Sequence, residues 1–111
     1  MNIKTLATLL LALFCGVAYA TDGKITISSP ANGTMVGAKG KISLVYDATL
    51  GTNGDHFHLY VDGSRVDILR QLKGSTELDP LAAGKHHICL TENTKSHAPT
   101  GVESCVDVTA Q

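Results

Sequence analysis

Hydrophobic and polar residues alternate with a period of two through most of the chain beyond residue 23, and that period predicts strands rather than helices. Ile25 and Ile27 point one way within 24–28, and Ile42, Leu44 and Tyr46 do so within 41–47. In 54–63, Phe57, Leu59 and Val61 share one side while His56, His58 and Tyr60 share the other. In 85–92, His86, Ile88 and Leu90 face inward and His87, Cys89 and Thr91 outward. In 102–109, Val102, Ser104, Val106 and Val108 face inward, with Cys105 and Asp107 outward. Each stretch reads as a half-buried strand. Val66, Ile68, Leu69 and Leu72 fit neither period, so the strand expected there is less sharply marked, and 75–78 adds a short one.

Turn chemistry separates these runs. Ser29-Pro30-Ala31-Asn32-Gly33, the glycines at 37 and 40, Asp62-Gly63, Lys73-Gly74 and the 79–84 segment all favour reversals, and the polar 92–101 segment, with Pro99 and Gly101, reads as a connecting loop. About seven short strands, no amphipathic helix and no parallel crossover predict an all-β, immunoglobulin-like antiparallel sandwich. In that plan 54–63 is strand C, 85–92 is strand F and 102–109 is strand G, neighbours in one sheet. The chain has no Trp, so it lacks the core residue of antibody-type domains.

The first 20 residues change the picture of the compartment. Lys4, the apolar run from Leu6 to Phe14 and Ala18-Tyr19-Ala20 have the form of a signal peptide cleaved before Thr21. The run is short for a membrane span, and Phe14 ahead of Cys15 is bulkier than lipidation requires. The expectation is therefore a leader at 1–20 and one exported, periplasmic or secreted domain at 21–111, with no stable membrane insertion after cleavage. The full chain has nine basic and ten acidic residues; without Lys4, eight face ten, a net −2. With no basic cluster, nucleic acid is an unsuitable partner.

Removing the leader leaves two cysteines, Cys89 and Cys105, which predict a disulfide in an oxidising compartment. Both point outward on neighbouring strands, so a hairpin would place them opposite one another. The competing reading makes them thiolate ligands of a soft metal.

Candidate chemistry lies with the histidines. Two at i and i+2 on a strand leave the same face, and His97 lies in the loop at the same end of the sandwich, so His56, His58 and His97 form a candidate His₃ metal site on the surface. His87, further along strand F, is a weaker candidate; Asp55 and Glu103 are candidate oxygen donors, and Asn93 a supporting residue. His86 alternates inward and reads as a half-buried histidine bonded to backbone. Imidazole ligands favour copper(II) or zinc. Copper(I) is less suited, because the domain beyond residue 20 has a single methionine, Met35. The bland alternative is a polar strand face on a non-enzymatic module that binds an envelope protein and no metal. No serine elbow, phosphate loop or His-Glu-x-x-His helix points to an enzyme, leaving a metal-dependent one as a remote alternative.

The segments Asp55-His56-Phe57-His58-Leu59-Tyr60-Val61-Asp62, Leu81-Ala82-Ala83-Gly84-Lys85-His86 and Ser96-His97-Ala98-Pro99 resemble a family of small bacterial secreted domains of unknown function. That family carries a Gly-His-His-His-Leu-Leu-Ile-Asp strand, a Leu-Pro-x-Gly-Lys-His turn and a His-x-Pro-His loop. His56, His58, His86 and His97 match its histidines, whereas Phe57 and Thr100 replace two others. The resemblance implies an exported immunoglobulin-like domain without an established activity.

Overall fold

The computed structural model describes residues 22–111; the leader expected at 1–20 and its cleavage point lie outside the described residues. Among the described residues, eight strands form two sheets: β1 (Lys24–Ser29), β2 (Thr34–Val36), β3 (Ile42–Thr49), β4 (His56–Val61), β5 (Ser64–Leu69), β6 (Lys73–Leu78), β7 (Gly84–Asn93) and β8 (Pro99–Ala110). One sheet has the order β1-β3-β6 and the other β2-β8-β7-β4-β5. The chain is an all-β, immunoglobulin-like sandwich, and the strands expected as C, F and G are the adjacent β4, β7 and β8.

The alternation is cleanest in β3, where Ile42, Leu44, Tyr46 and Ala48 are buried and every intervening residue is exposed. These side chains meet Phe57, Leu59, Ile88, Leu90, Val106 and Val108 from the opposite sheet. Tyr46 stands edge-on to Phe57, with ring centroids 6.5 Å apart. Its hydroxyl donates to the Gln71 carbonyl at 2.9 Å, which offsets the cost of burying a polar group.

Three local differences from the sequence expectation have physical causes. Thr34–Val36 is a strand, because it lies parallel along the edge of β8, opposite Val108, Thr109 and Ala110; three residues are too few to show a period. Lys73-Gly74 does not reverse the chain but begins β6, opposite Asp47 and Tyr46. The expected loop at 92–101 shrinks to 94–98, since β7 runs to Asn93 and β8 starts at Pro99; proline is tolerated at the first residue of a strand. The blurred pattern near Val66 reflects an edge strand: β5 pairs only with β4 and is exposed over its first four residues.

Cys89 and Cys105 are direct partners in the β7–β8 register and form a disulfide. It closes a sequence separation of 16, a loop for which chain entropy predicts roughly 3 kcal/mol of stabilisation.

One end of the sandwich is closed by a carboxylate. Glu92 continues the inward parity of Ile88 and Leu90 and is 2% exposed. Its oxygens accept from the Gly51 amide and the Thr100 hydroxyl, both at 2.7 Å. A Cβ on Gly54 would fall 2.5 Å from Glu92 Cδ, so glycine is needed there for space. Glu92 thereby ties the loop preceding β4, and the first residues of β8, to the end of β7. Those segments flank the histidine cluster on β4 and in the 94–98 loop.

Candidate metal centre

The far face of β4 is covered at the end closed by Glu92. His56 and His58 leave this face together, opposite Asn93 and Thr91 of β7, but they are 0% and 2% exposed. This corrects the expectation of surface histidines. The loop between β7 and β8 folds over them and lays the His97 ring against both, with centroids 4.5 Å from His56 and 5.3 Å from His58.

That loop is held by its own backbone. The Thr94 amide donates to the Ala98 carbonyl and the His97 amide to the Thr94 carbonyl, both at 2.8 Å. The turn requires His97 at φ 71°, a left-handed conformation uncommon for a residue with a side chain. Asn93, itself buried, supports the loop from beneath through its side-chain amide, 3.4 Å from the His97 carbonyl. The support expected of Asn93 thus acts on the loop backbone.

Three ring nitrogens converge. His56 Nε2 lies 3.0 Å from His58 Nε2 and 3.0 Å from His97 Nδ1, and the third side of the triangle, His58 Nε2 to His97 Nδ1, is 3.1 Å. A hydrogen bond needs one nitrogen with a proton and one with a lone pair. Three mutually adjacent nitrogens, each in one of those two states, always leave at least one side joining like with like. Hydrogen bonding therefore cannot satisfy the triangle at any protonation. Three lone pairs directed at one cation would satisfy every member. Such a triangle has a centre about 1.8 Å from each nitrogen, close to the ~2.0–2.1 Å of a zinc–imidazole bond, so His56, His58 and His97 are spaced as residues that would hold one such ion.

The opposite ring nitrogens are placed to make those lone pairs available. His56 Nδ1 lies 2.8 Å from Asp55 Oδ2, and a carboxylate there accepts the Nδ1 proton, leaving Nε2 free. Arg70 Nη1 approaches the same oxygen at 3.4 Å. The bond from His56, aided by the charges of His56 and Arg70, holds the Asp55 carboxyl below the usual carboxylate range. His58 Nδ1 faces the Tyr60 hydroxyl at 3.4 Å. Burial first, then the positive charges of His56, Arg65 and His97, push the His58 pKa down and favour the neutral, ligating ring.

The other candidates separate. Asp55 stands behind His56 as its hydrogen-bond partner, not beside it as an oxygen ligand. Glu103 is not among the groups brought together with the three histidines; it pairs with Thr91 in the β7–β8 register. His87 sits elsewhere on the sheet, in a second group with Cys89 and Cys105, and its Nδ1 lies 2.5 Å from Asp107 Oδ1. His86 meets the backbone as expected: Nε2 is 2.6 Å from the Ala82 carbonyl and Nδ1 is 2.6 Å from Asp62 Oδ2. Asp62, expected only to form a turn, also accepts from the His87 amide at 2.8 Å. Tyr60 and Arg70 were not singled out from sequence. Tyr60 could have been, since it shares the His58 face at i+2.

No family model matches the chain, and no curated protein does. Among solved structures, a fibronectin(III)-like module of Clostridium thermocellum CbhA aligns with TM-score 0.64 and 14% identity, over 78% of this chain and 95% of that one. The CARDB domain of a Pyrococcus furiosus protein aligns with TM-score 0.57 and 15% identity, over 84% and 97%. A Jonesia denitrificans lytic polysaccharide monooxygenase aligns with TM-score 0.50 and 20% identity, over 76% of this chain and 61% of that one. At these identities the likeness is one of fold alone. The fold is that of a small immunoglobulin-like all-β sandwich.

Proposed function

We propose that this domain is an exported metal-binding protein that takes copper(II) or zinc through His56 Nε2, His58 Nε2 and His97 Nδ1. The observation that carries the reading is the nitrogen triangle, which hydrogen bonds cannot satisfy and one cation can. Two of the residues that would hold the ion come from a strand inside the sheet and the third from an exposed loop, so His97 is the ligand that could open to admit it. Export is supported by the leader-like first 20 residues and by the disulfide, which suits an oxidising compartment. Among the described residues no helix is long and apolar enough to cross a membrane. The activity proposed is binding or carriage, with no catalytic step.

The test is calorimetric titration of copper(II), and separately zinc, into metal-free protein and into the His56→Ala/His58→Ala variant, with folding checked by circular dichroism. One-to-one binding that disappears in the folded variant supports the site. Binding that is absent, or that persists in the variant, sinks it and leaves a module that binds an envelope protein partner.

A further inference from the structure

Among the described residues there are three histidine–aspartate pairs, and they differ in what the second ring nitrogen meets. In the His86–Asp62 pair, Nε2 is spent on a backbone carbonyl. In the His56–Asp55 pair it points into the triangle. In the third pair, His87 Nδ1 lies 2.5 Å from Asp107 Oδ1, a carboxylate placed to accept from Nδ1 and to leave Nε2 as the nitrogen available to a ligand. His87 is one row along the outer sheet face from the Cys89–Cys105 disulfide, and a ring nitrogen and the two sulfurs lie within 4.8 Å of one another.

We propose that reduction of this disulfide creates a second metal site, in which Cys89 Sγ, Cys105 Sγ and His87 Nε2 take a thiophilic cation, zinc(II) or copper(I). A dithiol reductant supplies two electrons and two protons and is itself oxidised to a disulfide; the Sγ–Sγ bond breaks and two thiols form. The arriving ion displaces both thiol protons to solvent and binds two thiolates and a neutral imidazole. Two sulfurs and one nitrogen, with a fourth position open to solvent, match the soft ligand set these ions prefer.

The fold keeps the three ligands together after the bond breaks. Cys89 and Cys105 face one another across β7 and β8, whose pairing continues on both sides from Gly84↔Ala110 to Thr91↔Glu103. Both side chains therefore still leave the same face once separated. The site is also reachable: His87 is exposed, Cys105 is partly exposed, and a shallow depression lined by Tyr60, His87, Cys89, Thr91 and Glu103 opens beside it. The oxidised protein has no such site, because neither sulfur is then a thiolate. This gating is independent of the His56, His58 and His97 cluster, which has no sulfur.

Cobalt(II) provides the test, because thiolate-to-cobalt charge-transfer absorption reports sulfur ligation and ignores an all-histidine site. The full chain is titrated with cobalt(II) before and after reduction by a phosphine, with far-ultraviolet circular dichroism recorded in each state. The expected result is no charge-transfer absorption when oxidised, one equivalent bound through thiolate when reduced and folded, and at least tenfold weaker binding in His87→Ala. Absence of the absorption in the reduced protein would overturn the proposal. So would unchanged affinity in His87→Ala, which would mean that the thiols bind without the imidazole, or loss of the β-sheet spectrum on reduction, which would mean that the folded sheet does not hold the three ligands together.

Discussion

His56 and His86 each offer an Nδ1 proton to a neighbouring aspartate, yet the two rings have different tasks. His56 turns its other nitrogen toward His58 and His97 at 3.0 Å, where no arrangement of protons suits all three. His86 turns its other nitrogen toward the Ala82 carbonyl at 2.6 Å, an acceptor that requires a proton. With acceptors on both sides, His86 is satisfied as an imidazolium that fastens the 79–83 loop to the β4–β5 turn. Its hydrogen bonds to Asp62 and then to Ala82 raise its pKa, whereas burial lowers that of His58. A histidine–aspartate pair is thus no site by itself; the partner of the second nitrogen separates a ring held between two acceptors from one that could ligate, as the proposed function requires of His56.

The comparison can be broken by substitution. The largest effect expected is in His58→Ala, which should weaken copper(II) or zinc binding by more than the ~10–100-fold typical of losing a supporting partner, while His86→Ala leaves the affinity unchanged in the same calorimetry. Asp55→Asn comes next. It keeps the shape but weakens the fixing of the His56 tautomer, and should cost about 10- to 100-fold in metal affinity, whereas Asp62→Asn should cost none. Gly54→Ala probes the support beneath the cluster: its Cβ collides with Glu92, and the expected loss is roughly 1–3 kcal/mol in chemical denaturation.

The smallest effect lies in pH dependence, where the two histidines carry opposite signs. For His58 the folded pKa is below the unfolded value of 6.5, so the unfolded chain binds more protons and stability falls as pH drops through 6.5 toward the folded value. For His86 the folded pKa is above 6.5, so its stabilisation is complete below 6.5 and is lost as pH rises through the raised value. Ring-proton resonances followed by NMR should show His86 charged and His58 neutral at pH 6.5. The reverse order would remove the distinction.

Much of this was legible in the sequence because strand periodicity is strict. The facing of Ile42, Leu44 and Tyr46, the C-F-G adjacency and the opposition of Cys89 and Cys105 all follow from a period of two and short loops. The gathering of His56, His58 and His97 followed from the same topology. What parity does not carry is what lies above a sheet face. The burial of His56 and His58 depends on a five-residue loop turning back through a left-handed His97, and no local pattern announces that. Glu92 was equally hidden, since a carboxylate on an inward position reads as the end of a strand until the glycines opposite it are seen in three dimensions. The short β2 has too few residues to signal itself and exists only because the edge of β8 accepts it.

The most direct test of the central claim is a long-range proton–nitrogen NMR spectrum of the histidine rings, recorded on metal-free protein and again with one equivalent of zinc. Zinc should move the resonances of His56 Nε2, His58 Nε2 and His97 Nδ1 together, with His86 Nε2 unmoved. A spectrum in which those three stay in place, or in which the nitrogens that move belong to His86, would contradict the account.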